Sequence, residues 1–171
     1  QSWPGRLVKT DMNEIHIFLP GQPIGKGRPR FTRMGRVYTP EKTRRYEHRL
    51  AAEASNWMVL RQLDPIQCPC KVLIKAQFEI PKSWTKKKKA QAAALEINPG
   101  KPDIDNVAKI ALDALNGVAF EDDKQVYDLK VIKRYGDPCL IITVSYWKAG
   151  AREIKAPAWQ HLALLGETMQ G

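Results

Sequence analysis

Four aspartates lie close to one predicted helix, and they are the residues of this chain best suited to chemistry. Asp103 and Asp105 stand at the start of the helix, and Asp122 and Asp123 follow its end. Carboxylate oxygens are ligands that Mg²⁺ prefers, with water and phosphate completing its coordination. Aspartates near a helix N-terminus are also favoured by capping and by the helix dipole. The spacing alone therefore leaves a metal site and helix capping open as alternatives.

The two aspartates of the first pair would point about 200° apart around a regular helix. Asp103 and Asp105 converge more readily if Asp103 lies at or before the N-cap and Asp105 in the first turn. Pro102 favours this arrangement, because proline restricts the residue before it and keeps Lys101 out of the helix. To bring Asp122 and Asp123 to the same place, the chain must return past a helix roughly 18 Å long.

Lys109 follows Asp105 by four residues and lies on the same face of the predicted helix. A pair at this spacing commonly forms a weak surface salt bridge. The alternative is a cation placed over a scissile or leaving phosphate beside the metal carboxylates. Both interpretations stay open at this point.

The rest of the chain is strongly basic, with 28 Lys and Arg against 18 Asp and Glu, a net charge of +10 and a pI of about 9.6. Neutralising phosphates with such charges releases counterions and gives affinity for a polyanion. One loop combines five cations with the aromatic residues Phe31 and Tyr38, which can stack on or wedge between bases. Its cations are Lys26, Arg28, Arg30, Arg33 and Arg36. Lys86 and Lys87 are further candidate DNA contacts, although a solvated basic surface is the simpler alternative for both groups.

Periodicity and turn residues predict the element order β, α, β, α, α, β, β. The helices are expected over about 40–61, from Thr85 to about Leu95, and over 104–116, and Thr39 is the expected N-cap of the first. The last two strands, Gln125 to Tyr135 and Cys139 to Trp147, are predicted to form a hairpin. Buried stripes are expected on the first and third helices. These stripes are Tyr46, Leu50, Ala54, Trp57 and Met58, and Ile104, Val107, Ala111, Ala114 and Leu115.

This order predicts an α/β protein of the α+β type, a single compact domain in which helices pack against a mixed or antiparallel sheet. Met12 is the expected natural start. Residues 1–11 would then be an N-terminal extension or a cloning remnant, 12–148 the folded domain, and 149–171 a C-terminal appendage. No apolar run is long enough to span a bilayer, and the three cysteines have neither disulfide nor zinc-ligand spacing. We therefore expect an intracellular, cytoplasmic protein with free thiols and no membrane partner.

Three segments taken together resemble the signature of the RusA family of Holliday junction resolvases. They are KPDIDNVAK at 101–109, LDALNG at 112–117 and DDKQV at 122–126. The loop KGRPR at 26–30 resembles that of Gram-positive and phage-borne members, so a bacterial or phage origin is expected. The resemblance covers residues 13–147 and leaves the two tails outside it.

This resemblance implies a homodimeric, Mg²⁺-dependent endonuclease, with Mn²⁺ as a substitute ion. Its expected action is paired nicking of four-way DNA junctions in recombination and repair. The implied metal ligands are Asp103, Asp105 and Asp123, and Lys109 is the implied catalytic lysine. Asp122 adjoins the matched position and competes with Asp123 for it. Two other hypotheses stay open: a structure-selective nuclease acting on forks or flaps, and a non-catalytic DNA-binding accessory protein whose acids are caps.

Overall fold

The structure of the protein, a computed structural model, describes residues 12–28 and 30–147, with the Arg30 side chain left out. The tails predicted at 1–11 and 149–171 lie outside the described residues. The elements in chain order are β1 (Met12–Pro20), β2 (Arg30–Phe31), β3 (Val37–Tyr38), α1 (Glu41–Leu60), β4 (Cys70–Phe78), α2 (Lys86–Ala93), α3 (Ile104–Leu115), a 3₁₀ turn (Asp123–Gln125), β5 (Val126–Tyr135) and β6 (Cys139–Trp147). The predicted α+β class is confirmed.

The main sheet has four strands in the order β1–β6–β4–β5, and it is mixed. β6 runs antiparallel to both β1 and β4, whereas β5 runs parallel to β4. Ile17, Ile142, Ile74 and Val131 stand opposite one another across the four strands. Burying such branched side chains contributes about 1.5–3 kcal/mol each, so this row is a main part of the core.

The predicted hairpin of β5 and β6 is wrong, because β4 lies between these two strands. The link 136–138 crosses over the end of β4, where Tyr135 pairs with Phe78 and Cys139 with Gln77. Three residues suffice, since two interstrand spacings are only about 10 Å. A Cβ on Gly136 would stand 2.5 Å from Oε1 of Gln77, so any other residue at this close crossing would require the end of the Gln77 side chain to shift. A short turn between two strands gives the same sequence pattern in a hairpin and in this crossing.

Helices α1 and α3 pack against each other and cover one face of the sheet. Their predicted stripes are largely buried, with two differences: Ile104 is exposed and Trp57 is only partly buried. The N-cap of α1 is Pro40 instead of the predicted Thr39, because Pro40 keeps an extended backbone with ψ of 140°. α2 ends at Ala93, just before Leu95 adopts a positive φ of 63°. No described helix is both long and apolar enough to cross a membrane.

The fold places the two ends of α3 at opposite ends of β5. Lys133, late in β5, reaches the carbonyl oxygens of Pro99 and Pro102 just before α3. At the other end, the backbone N–H of Ala119 donates to Leu115 and that of Glu121 to Ile66, so the chain stays close to the C-terminus of α3. β5 then starts there, and α3 and β5 run in opposite directions.

Candidate active site

Asp103 is the N-cap residue of α3, and Asp105 lies in the first turn, as the sequence predicts. The Asp103 carboxylate makes no capping hydrogen bond. Instead, its Oδ1 accepts a hydrogen bond from the Lys101 ammonium at 3.0 Å, and the side chain is 55% exposed. The capping alternative therefore does not describe Asp103. Its carboxylate is more than half exposed, and its one side-chain partner among the described residues is the exposed Lys101.

Asp105 and Lys109 are both exposed on α3. The weak salt bridge that their spacing favours is not formed: neither residue has an ion-pair partner within 4.0 Å among the described residues. Both charges are therefore available to a ligand beside Asp103.

The turn that carries Asp103 is held from two sides. On one side, the backbone N–H of Lys26 donates to the carbonyl of Asn106 at 2.9 Å, and a Cβ on Gly25 would lie 2.6 Å from Cβ of Pro102. On the other side, the Lys133 ammonium donates to Pro99 at 2.9 Å and to Pro102 at 2.5 Å. These contacts fix the start of α3 against both the basic loop and the sheet.

Lys26 is a predicted DNA contact, and the structure places its ammonium between two carboxylates. It forms ion pairs with Glu47 of α1 and, at 2.7 Å, with Asp113 of α3. Burial acts to lower the pKa of Lys26, but hydrogen bonds to Asp113 and Glu47 outweigh it and raise that pKa above its ordinary value. Lys26 therefore joins two helices through its ion pairs.

The two aspartates of the second acidic stretch, Asp122 and Asp123, have different surroundings. Asp122 is the N-cap of the 3₁₀ turn: its carboxylate accepts from the N–H of Lys124 at 3.0 Å, and its own N–H donates to Oε1 of Gln125 at 2.9 Å. The Lys124 N–H is the main cause of a lowered pKa at Asp122. Asp123 is exposed and takes no part in this capping box. The Asp-x-x-Gln spacing from Asp122 is a capping-box pattern that the sequence already contains.

The three carboxylates implied as metal ligands do not meet within one chain. Asp103 and Asp105 lie at the N-terminus of α3, whereas Asp123 lies beyond its C-terminus, roughly 18 Å away along a helix of this length. Within the described part of the chain, no group of three or more His, Cys, Asp or Glu side chains is placed to hold a metal ion. The oxygen donors suit Mg²⁺ chemically, but their positions in a single chain do not fit one site.

A groove of about 600 Å³ opens directly beside Asp103. Its lining includes three cationic side chains besides Lys26: Arg28, Lys42 and Lys101. Arg28 belongs to the predicted DNA-binding set, whereas Lys42 and Lys101 do not. The sequence could have indicated Lys101 as a groove residue, because it adjoins the acidic motif. Lys42 lies in the groove only because of how α1 packs.

The other predicted DNA contacts form two exposed groups. Arg33 and Arg36 are exposed on the small β2–β3 hairpin, next to Phe31, which is 73% exposed. Lys86 and Lys87 are exposed in the first turn of α2. The side chain of Arg30, another predicted DNA contact, is not among the parts that the structure describes.

Together these features define a basic, mixed-sheet α+β protein with an exposed acidic helix start beside a cationic groove. The sequence matches the family described as Endodeoxyribonuclease RusA over residues 20–145. It is also 37% identical over 132 residues to "Uncharacterized protein YqaN" of Bacillus subtilis (strain 168), a match that covers 74% of this chain and 91% of that protein. The chain therefore belongs to the RusA endodeoxyribonuclease family.

Proposed function

We propose that this protein is an endonuclease that resolves Holliday junctions by paired nicks in DNA recombination and repair. Family membership supports nuclease activity. The observation that carries the proposal is the exposed Asp103–Asp105 start of α3 at the edge of a groove lined by Arg28, Lys42 and Lys101. Such a groove attracts a phosphodiester backbone and brings it beside carboxylates that have no structural role in the described fold.

The proposed cofactor is Mg²⁺, with Mn²⁺ as a substitute, and its chemistry would be neutralisation of charge on the attacked phosphate. Asp103 and Asp105 are two of the proposed ligands. Asp123 is the proposed third, since Asp122 is already engaged in capping the 3₁₀ turn.

These three aspartates are too far apart in one chain to share a metal ion. A homodimer would bring them together if Asp123 of the partner subunit reaches Asp103 and Asp105. A two-fold dimer would then carry two equivalent sites, which suits a two-fold symmetric junction.

Lys109 is the proposed residue that stabilises negative charge on the phosphate or on the leaving oxygen. It follows Asp105 by about one turn of α3, and its ammonium is in no ion pair with another described residue. The exposed cations of the β2–β3 hairpin and of α2 are proposed to hold the junction arms, with Phe31 placed to stack on or wedge between bases.

The decisive experiment compares Asp105→Asn with Asp64→Asn, which removes the same charge at an exposed position before β4. Cleavage of a four-way junction in Mg²⁺ is expected to be lost in the first variant with binding kept, and to be unchanged in the second. Persistent cleavage by Asp105→Asn would refute the catalytic role of Asp105, whereas a wild type that binds the junction without cleaving it in Mg²⁺ would favour a non-catalytic DNA-binding role. Parallel assays with three-way, flap and linear DNA test the junction preference, since equal rates on all of them would indicate a broader nuclease.

A further inference from the structure

A second groove, of about 480 Å³, lies along α1 and continues the groove beside Asp103. Gln22, Ile24 and Lys42 line both grooves, so the two form one path. Away from Asp103, this path runs over Arg45, Tyr46 and Arg49 of α1. We call this second part the α1 groove.

The α1 groove has a row of cations along its floor. Lys42, Arg45 and Arg49 are exposed and are spaced three and four residues apart, so they lie on one side of the helix. Glu41 is the acidic residue of the lining, and it pairs with Arg45 at 2.6 Å. Lys42 and Arg49 have no ion-pair partner among the described residues, and Arg49 makes only a long contact of 3.4 Å to the carbonyl of Pro20.

Tyr46 gives an independent indication that this groove accepts a ligand. Its side chain is only 6% exposed, and its buried hydroxyl has no hydrogen-bond partner in the part of the chain that the structure describes. Burial raises the pKa of Tyr46, so the hydroxyl keeps its proton and remains a donor at neutral pH. An unpaired buried donor is costly, and an acceptor atom of a bound anion would satisfy it if binding turns the hydroxyl, which has no accessible surface in the free protein, toward the groove that Tyr46 lines.

The spacing of these groups suits a nucleic-acid strand. Lys42 and Arg49 are seven residues apart on α1, which is about 10.5 Å along the helix axis. Successive phosphates of one DNA strand advance by about 3.4 Å along the duplex, so the row covers roughly three nucleotides.

We infer that the α1 groove is a second DNA-binding site, which takes the phosphodiester backbone of the strand that continues from the groove beside Asp103. The inference rests on the proposed function, because that strand is the one presented for cleavage. Lys42 and Arg49 neutralise its phosphates, and the Tyr46 hydroxyl donates to a phosphate oxygen. None of these three residues belongs to the DNA-binding set that the sequence predicts.

The test compares two double variants of equal charge. Lys42→Gln with Arg49→Gln removes two cations of the α1 groove, whereas Lys130→Gln with Arg44→Gln removes two exposed cations elsewhere. Arg44 is two residues from Lys42 and therefore points about 200° away around α1. Binding of a four-way junction is measured with a chelator present, so that no cleavage occurs, over a series of salt concentrations.

We expect the groove variant to bind about tenfold or more weakly, with the slope of log K against log salt reduced by about 1.8, or 0.9 for each lost phosphate contact. The control variant should stay close to the wild type. Equal losses in the two variants would overturn the inference, and so would a wild type that binds no DNA. Wild-type binding that depends on Lys42 and Arg49, without cleavage of any junction, would keep the α1 groove while refuting the nuclease proposal.

Tyr46→Phe is the second test, because it removes only the hydroxyl. If the hydroxyl donates to DNA, affinity falls about 3- to 10-fold. If it has no ligand, junction affinity is unchanged. The melting temperature of the free protein should rise in either case, since an unpaired buried donor has been removed, so unchanged affinity is the result that would refute the role of Tyr46.

Discussion

The ammonium group of Lys133 donates a hydrogen bond of 2.5 Å to the carbonyl oxygen of Pro102, the residue immediately before Asp103. A second bond, of 2.9 Å, reaches the carbonyl of Pro99. Lys133 is half-buried near the end of β5, and it ties the turn that carries the candidate active site to the sheet. The position of Asp103 therefore depends on a lysine thirty residues later in the chain.

Replacing Lys133 with Met is expected to loosen this turn. Two carbonyl oxygens lose their donor, which costs about 1–3 kcal/mol of folding free energy. We also expect junction cleavage to fall about tenfold or more while junction affinity changes little, because 1 Å of misplacement is costly in catalysis. Lys130→Met, on the opposite face of the same strand, is the control. Cleavage by Lys133→Met at the wild-type rate would show that the turn keeps its position without Lys133.

Substitutions of Asp122 and Asp123 are expected to have different effects. Asp122→Ala removes the cap of the 3₁₀ turn and should lower the melting temperature, whereas Asp123→Ala should leave it unchanged and abolish cleavage. Thermal unfolding and junction nicking of the two variants distinguish these roles. A reversed pattern, with cleavage lost only in a stably folded Asp122→Ala, would make Asp122 the third ligand.

The capping role of Asp122 also predicts a pH dependence. Its pKa is lowered in the folded state by the N–H of Lys124, so its contribution to stability is present above the ordinary aspartate pKa and is lost as the pH falls through the lowered value. Asp122→Asn keeps a capping oxygen but does not titrate, so its acid unfolding should be shifted relative to the wild type. Identical acid unfolding curves would contradict this account.

Lys26 is expected to contribute to stability through its two ion pairs. Lys26→Met leaves Glu47 and Asp113 facing each other without a cation, and this should destabilise the fold by about 2 kcal/mol, between the values for exposed and buried pairs. The raised pKa of Lys26 means that its contribution is present below the ordinary value of 10.5 and is lost as the pH rises above it. Denaturant unfolding at neutral and alkaline pH tests both points. Wild-type stability in Lys26→Met would contradict them.

The start of the candidate site was predictable from the sequence because its geometry is local. Pro102 and the apolar period after it place Asp103 at the N-cap and Asp105 in the first turn, and the structure confirms this. The salt bridge favoured for Asp105 and Lys109 is a weak interaction, and it is not formed, because exposed pairs gain little from contact.

The features that could not be predicted from the sequence depend on contacts between distant segments of the chain. The ion pairs of Lys26 require α1 and α3 to be packed together, and nothing near Lys26 in the chain indicates either partner. The position of β4 between β5 and β6 also depends on long-range pairing, since the link 136–138 fits a hairpin equally well. The same reasoning applies to Lys42, which reaches the groove beside Asp103 only because α1 crosses there.

The opposite placement of Asp105 and Asp123 along α3 leads to a prediction about mixed dimers. If Asp123 acts in the site of the partner subunit, a dimer of one Asp105→Asn chain and one Asp123→Asn chain has both lesions in one site and none in the other. The intact site should then nick one strand of a junction without resolving it. In a random mixture of the two inactive variants, half of the dimers carry one intact site, so nicking should return to about a quarter of the wild-type rate.

A matched mixture provides the control for this experiment. Asp103→Asn mixed with Asp105→Asn leaves one lesion in each site of every dimer, because both residues come from the same end of α3. That mixture should stay inactive whether or not the site is shared. Nicking in the first mixture but not in the second would therefore establish that each site draws Asp123 from the other chain. If both mixtures stay inactive although the chains exchange, the three carboxylates act within one chain, and α3 or the 3₁₀ turn must move to bring them together.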